Sequence, residues 1–149
     1  MTAASKSLTG ELGAARLAVL DALRRLPDDA WQAERWVARG VVAHLAAWDE
    51  ISTLFLDAAA DGAPTPHLVT DFDAFNAGAV AESSPLSAVQ AVLRFHAARA
   101  ALVAAVSRVD ADMRLKFPWG EQGTVREMVL GLVFHEREHA DELGSGSES

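Results

Sequence analysis

Near its C-terminal end the chain reads Phe134-His135-Glu136-Arg137-Glu138-His139. On a helix, two histidines four residues apart lie one above the other on the same face. That face continues the three-four spacing of the apolar residues Val125, Met128, Leu132 and Leu143. The spacing predicts an amphipathic helix from 124 to 143 with both histidines on its core-facing side. An unpaired buried imidazole is costly, and a divalent metal ion satisfies both rings at once.

Composition narrows the class of protein. The 149 residues are 50% hydrophobic and carry a net charge of −8, which argues against nucleic-acid or anionic-membrane partners. The absence of cysteine excludes disulfides, thiolate ligands and a cysteine nucleophile. The N-terminus lacks the apolar core of a signal peptide, and no apolar run approaches the roughly 18 residues that a membrane-spanning helix needs. We therefore expect a cytoplasmic protein that acts on a small molecule.

Four long amphipathic helices are predicted, at about 8–26, 37–60, 86–109 and 124–143. Ser87 with Gln90 and Thr124 with Glu127 have the spacing of capping boxes that open the last two. The spacing places Val89, Leu93, Ala100 and Val103 on one side of the third helix, with Phe95, Leu102 and Val106 adjoining. A crossover of more than twenty residues, with a short helix near 71–76, joins the second and third helices, and no convincing strand is found. The fold class is all-α, a four-helix bundle over residues 1–143, followed by a flexible tail at 144–149.

The main candidate site is a set of three histidines. His44 lies on the core-facing seam of the second helix, so a bundle can bring it to His135 and His139. Three nitrogen ligands leave a coordination position open, as catalytic metal sites do. Three imidazoles do not distinguish zinc, nickel, iron and manganese. The alternative is that each histidine is a hydrogen-bonded core residue, which for His44 alone is the better interpretation.

Two further residues are candidate catalytic groups. Glu136 completes the letters H-E-x-x-H, the metalloprotease pattern, but such an enzyme needs a strand-edged cleft that this chain does not offer. Glu136 then either orients a metal ligand or acts as a general base, with a solvated position on the flank of the helix as the alternative. Trp48, one turn after His44, is expected beside the metal or simply in the core. Asp49 and Glu50 either orient a ligand histidine or face water.

Other residues have weaker predictions. His96 is expected to be a packed or interface histidine, with a fourth-ligand or base role as the alternative, and His67 to be exposed. The expected pocket rim consists of Phe72, Phe75, Asn76 and Trp119.

Residues 36–49, Trp36-Val37-Ala38-Arg39-Gly40-Val41-Val42-Ala43-His44-Leu45-Ala46-Ala47-Trp48-Asp49, resemble the opening motif of the DinB/YfiT-like superfamily, and His135 with His139 resembles its closing motif. Residues 73–76 and 117–120 are similar to the ClbS/DfsB-like branch. The resemblance implies a four-helix bundle with a divalent metal on His44, His135 and His139. Its characterised members include thiol-dependent enzymes such as mycothiol-dependent maleylpyruvate isomerase and bacillithiol transferases. Val37 and Gly40 depart from the usual Ser or Thr and acidic residue at the start of that helix.

Three functions remain open at this point. The first is a metal-dependent transferase or hydrolase acting on a small electrophile, in which a thiol would come from a low-molecular-weight cosubstrate. The second is a protein that sequesters a toxic small molecule without turnover. The third is a structural bundle that functions by homodimerisation and binds no metal.

Overall fold

The computed structural model describes residues 2–31 and 37–144. Trp36 of the opening motif and residues 145–149 of the expected tail lie outside the described residues. Within these described ranges, five α-helices account for most of the residues, as the alanine-rich composition predicts. They are α1 (Ala3–Arg24), α2 (Val37–Asp61), α3 (Phe72–Ser83), α4 (Ala88–Ser107) and α5 (Val125–Gly144), with a 3-10 turn at Asp28–Trp31 and two short strands, β1 (Arg114–Lys116) and β2 (Gln122–Thr124).

Local capping explains where two of the helices begin. At α4 the Ser87 hydroxyl accepts from the Gln90 amide at 3.1 Å, and the Gln90 side chain accepts from the Ser87 amide at 2.9 Å. At α5 the same exchange joins Thr124 and Glu127, at 3.0 and 3.1 Å. Both predicted capping boxes are therefore confirmed, and each satisfies amide groups that a helix start leaves unpaired.

The four long helices pack against one another around the core. Helix α1 contacts α5 and α4, and α2 contacts α4 and α5. The core contains large side chains from all four, including Leu12, Leu56, Phe95 and Met128. This packing brings the N-terminal third of α2, which carries His44, close to the C-terminal half of α5, which carries His135 and His139.

The spacing left open which side of α4 faces the core. Val89 and Leu93 are 69% and 62% exposed, whereas Phe95 and Leu102 are fully buried, so only the second of the two predicted apolar sides packs in the core. Arg99, which lies on that buried face, explains the choice, because its guanidinium finds buried carboxylates there. Among the described helices, α4 alone is long and apolar enough on average to cross a membrane, a property that core helices of soluble proteins share.

The crossover and the link before α5 form a cover at one end of the helices. The short helix in the crossover is longer than predicted and spans Phe72–Ser83. The expectation of no strand is wrong, because β1 and β2 pair as an antiparallel hairpin. The hairpin turns through Gly120, whose φ of +102° favours glycine. The Val69 amide donates to the Pro118 carbonyl at 2.8 Å, which ties the crossover to the hairpin.

Candidate metal centre

The three predicted ligand histidines converge. His44 projects from α2, and His135 and His139 project from successive turns of α5. The Nε2 atom of His139 lies 2.7 Å from Nε2 of His44 and 3.1 Å from Nε2 of His135. The candidate ligand atoms of all three rings lie within 4.8 Å of one another. Helix packing thus brings together side chains that are 95 residues apart in the chain.

The partners of the other ring nitrogens determine which tautomer His44 and His139 adopt. Nδ1 of His44 donates to the Gly40 carbonyl at 3.0 Å, and Nδ1 of His139 donates to the Glu142 carboxylate at 3.1 Å. A carbonyl or carboxylate oxygen only accepts, so each Nδ1 carries the hydrogen and each neutral ring has a lone pair on Nε2. Two lone pairs therefore face each other across 2.7 Å. That contact is repulsive unless a cation lies between the nitrogens.

Burial favours the neutral form of two of the three rings. Burial and the neighbouring His139 lower the pKa of His44 to about 4, although its hydrogen bond to Gly40 acts in the opposite direction. Burial, followed by the effect of His139, also lowers the pKa of His135. The neutral imidazole is the form that binds metal ions, so the lowered pKa values of His44 and His135 favour their action as ligands.

The donor set fits a divalent transition metal ion. Nitrogens bound to a tetrahedral zinc ion at about 2.0–2.1 Å lie about 3.3 Å apart. The separations of 2.7 and 3.1 Å come within about half an ångström of that value, a difference that small ring rotations remove. Gly40 and Glu142 supply the carbonyl and carboxylate that orient metal-binding histidines in other proteins.

Glu136 belongs to a different environment from the one predicted for it. The interpretation of Glu136 as a solvated flank is wrong, because the residue is 1% exposed. Its carboxylate accepts hydrogen bonds from Arg16 at 3.2 Å and from Arg99 at 2.6 Å. Both oxygens are thus held by guanidinium groups. Nothing tests the catalytic role predicted for Glu136, which stays a prediction.

A buried group of four charged residues, the charge quartet, links all four long helices. Its members are Arg16 of α1, Asp49 of α2, Arg99 of α4 and Glu136 of α5, all less than 9% exposed. Asp49 accepts from Arg99 at 2.9 Å and from Arg16 at 3.1 Å, so it contacts no ligand histidine through its carboxylate. Burial raises the pKa of Asp49, and Arg99 and Arg16 oppose that rise. The quartet is neutral overall and fixes α2 against α5, the two helices that carry the candidate ligands.

Trp48 lies beside His135, and both side chains line the same cavity. Its ring centroid is 6.4 Å from that of His135 and 4.6 Å from that of Phe75. The cavity, called here the aromatic pocket, has a volume of about 220 Å³. Its lining is Trp48, Phe72, Asn76, Trp119, Gly131, Leu132 and His135. Three of the four expected rim residues therefore line it, and Phe75 packs behind Trp48.

The remaining predicted residues lie elsewhere. His96 is exposed and is not part of the three-histidine cluster, so it is neither packed in the core nor a fourth ligand there. His67 is exposed, as predicted. Glu50 pairs with Arg94 at 2.7 Å and does not orient a ligand histidine.

Sequence reasoning missed Arg16, Arg99 and Glu142. A signal for the two arginines was available, because each lies on the buried side of an otherwise apolar helix, and Asp49 and Glu136 do the same on theirs. Glu142 follows His139 by three residues, which is the spacing at which side chains of one helix meet.

Together, the helices and the converging imidazoles define a small helical protein with a candidate three-histidine metal centre. Residues 7–143 match the DinB superfamily, so the chain belongs to that superfamily, as the motifs around His44 and His139 indicated. No curated protein and no solved structure matches the sequence.

Proposed function

We propose that the protein holds one divalent transition metal ion on His44, His135 and His139 and uses it to act on a small electrophile in the aromatic pocket. The observation that carries the proposal is the convergence of the three rings, with Nε2 of His139 lying 2.7 Å from Nε2 of His44 and 3.1 Å from Nε2 of His135. Membership of the DinB superfamily supports it. We interpret the four long helices as a four-helix bundle, a fold that builds metal sites from side chains on facing helices.

A bound ion would supply a Lewis acid that polarises the electrophile or lowers the pKa of a water or thiol ligand. The protein's own part is to bring the three imidazoles together and to orient the rings of His44 and His139 through Gly40 and Glu142. Trp48, Phe72 and Trp119 give a substrate apolar ring faces to pack against. We assign Trp48 the contact with substrate and Glu136 a positioning role, since both oxygens of Glu136 are held by arginines.

Two reaction classes are compatible with this site, and they differ in the nucleophile. A thiol would have to arrive with a low-molecular-weight cosubstrate, because the chain contains no cysteine. Transfer of that thiol to the electrophile makes the protein an S-transferase, and attack by water makes it a hydrolase. Kinetic assays with and without an added thiol separate the two reactions.

Elemental analysis tests the metal site. Protein purified without an affinity tag should contain about one equivalent of a transition metal, and His135→Ala should contain little or none. His96→Ala is the matched control, because His96 is exposed and lies outside the cluster. Equal metal in wild type and His135→Ala, or none in wild type, would refute the site.

The aromatic pocket also favours a second function, in which the protein holds a small molecule without turnover. Rings around a small apolar cavity supply affinity for a flat molecule whether or not chemistry follows. The two functions differ in one observable. A reactive electrophile incubated with the metal-loaded protein is recovered changed by an enzyme and unchanged by a sequestering protein.

A further inference from the structure

The outward face of helix α4 carries no Asp, Glu, Lys or Arg. Between Ala88 and Ser107, every exposed residue is Val, Leu, Ala, His or Gln. Val89 and Leu93 are 69% and 62% exposed. The outward faces of α1 and α5 do carry charges, such as Glu11 and Glu138. A helix that is apolar on all sides is typical of a position that is buried on all sides. The single chain buries only one side of α4, so its outward face lacks the cover that its composition predicts.

The exposed residues of this face line up as one stripe along the helix. The α4 stripe consists of Val89, Leu93, His96, Ala97, Ala100 and Ala104. Steps of three and four residues place them on the same side of the helix, over a length of about 22 Å. The two large aliphatic side chains lie in the N-terminal half of the stripe, and the C-terminal half is alanine. A contiguous exposed apolar surface of this kind marks an interaction site.

The charges beside the α4 stripe favour a protein partner over a lipid surface. Arg94 pairs with Glu50 at 2.7 Å, and Arg108 pairs with Asp61 at 2.7 Å, so both arginines of this flank bind carboxylates of α2. A helix that lies on a membrane borders its apolar face with Lys and Arg, which meet anionic head groups. The net charge of −8 disfavours that contact as well.

The sizes of the side chains fit a second copy of the same chain. In a two-fold symmetric interface, residue i of one copy contacts residue j of the other, and j contacts i. When two α4 helices run antiparallel with the symmetry axis at the middle of the stripe, Val89 faces the partner's Ala104 and Leu93 faces the partner's Ala100. Each pair joins a large and a small side chain, which is the alternation that lets facing helices interdigitate. A parallel pair would set leucine against leucine and alanine against alanine.

We infer that the protein forms a two-fold symmetric homodimer through the α4 stripe, with the two α4 helices antiparallel. His96 then lies next to the axis, at the interface position that was one of its two predicted placements. A standard interface takes about 800 Å² from each partner, more than one helix stripe supplies. The partly exposed Val92 and Val103, on the flank away from α2, extend the contact. An interface of this modest size makes a reversible dimer, in equilibrium with the monomer at micromolar concentrations.

The dimer leaves the candidate metal centre and the aromatic pocket open. Neither the three converging histidines nor the residues that line the pocket include a residue of α4. The oligomeric state is therefore tested separately from the proposed function, and protein treated with a chelator should dimerise as the untreated protein does.

Sedimentation velocity of the full chain, from low micromolar to several hundred micromolar, tests the surface. The mass should rise with concentration from 15.8 kDa towards twice that value. Leu93→Glu should raise the dissociation constant at least about tenfold, because it buries a carboxylate against an apolar surface. Leu93 is 62% exposed in the single chain, so the variant should keep its far-ultraviolet circular dichroism spectrum. Leu130→Glu on α5, where Leu130 is 43% exposed, is the matched control and should dimerise like wild type.

A charge pair tests the antiparallel arrangement. Ala100→Lys alone should also weaken the dimer. Leu93→Glu/Ala100→Lys should restore it in part, because each introduced carboxylate then faces an introduced ammonium group of the partner. A wild type that stays monomeric at every concentration, including one that instead cosediments with vesicles of neutral lipid, overturns the inference. So does a dimer that Leu93→Glu leaves intact, and a double variant no tighter than the single ones overturns the antiparallel arrangement.

Discussion

Replacing Glu136 by Gln should be one of the most destabilising single changes available in this protein. Glutamine has the same shape, so the substitution removes a charge without making a cavity. The remaining members of the charge quartet are Arg16, Asp49 and Arg99, which leaves two guanidinium groups, one carboxylate and an uncompensated buried positive charge. The predicted loss is therefore electrostatic.

The contacts of Glu136 set the magnitude. One carboxylate oxygen accepts from Arg16 at 3.2 Å and from Arg99 at 2.6 Å, and the amide oxygen of Gln can keep both bonds. The other accepts from the same two residues at 3.2 and 3.4 Å, and the amide NH₂ would face these donors with a donor. Two lost charge-assisted bonds at about 1.5–3 kcal/mol each agree with the roughly 3–5 kcal/mol for breaking a buried ion pair.

The assay is urea unfolding followed by far-ultraviolet circular dichroism. Asp57→Asn is the control, because Asp57 pairs with Arg108 at 2.8 Å on the exposed surface and should matter little. The double variant Arg99→Met/Glu136→Met removes one charge of each sign and should be more stable than the two single changes predict, by about 1–3 kcal/mol. If Glu136→Gln unfolds at the same urea concentration as Asp57→Asn, the quartet does not have the energetic role that its geometry implies.

Two further predictions concern pH and the pocket wall. Without metal, the free energy of unfolding should fall as pH drops from 6.5 towards 4. The pKa of His44 is about 4 in the folded state and 6.5 for an unperturbed histidine, so the unfolded chain binds more protons in that range. The expected loss from His44 is up to about 1.4 kcal/mol per pH unit. Urea midpoints measured with a chelator at several pH values should show a shallower decline in His44→Gln, and identical slopes would contradict the pKa of His44. Gly131→Ala places a methyl group 3.5 Å from Trp119, an ordinary contact, and should raise stability by up to about 1 kcal/mol as a helix-interior substitution. The same methyl group narrows the aromatic pocket, so a small aromatic ligand should bind there more weakly, and unchanged binding would show that the ligand binds elsewhere.

The starts of the helices could be predicted because they depend on contacts between residues close in sequence. The capping box of Thr124 and Glu127 joins residues three apart, and α5 begins at Val125 as that spacing indicates. The placement of His135 and His139 on one face follows from helix geometry alone. The spacing left open which side of α4 packs in the core, because alanine fills several faces and apolar spacing distinguishes them poorly.

Tertiary structure chose the face of α4 and the environment of Glu136. The Arg99 side chain is buried because it forms ion pairs with Asp49 of α2 and Glu136 of α5. Hydrophobic periodicity contains no information about such partners on other helices. The hairpin was missed for a similar reason. Its strands are three residues each, too short to show an alternating pattern, and they are held by pairing with each other and by the contact of Pro118 with the crossover.

By itself, the sequence determined the helical class, the superfamily and the three histidines that belong together. Only the folded structure brought Nε2 of His44 to 2.7 Å from Nε2 of His139, oriented the rings through Gly40 and Glu142, and placed Trp48 and Asn76 in the lining of one small pocket with His135. The physical reason is the separation in sequence of the residues that interact. Helix formation and residue spacing are local properties that a single stretch specifies, whereas ligand convergence and charge pairing depend on how separate helices pack.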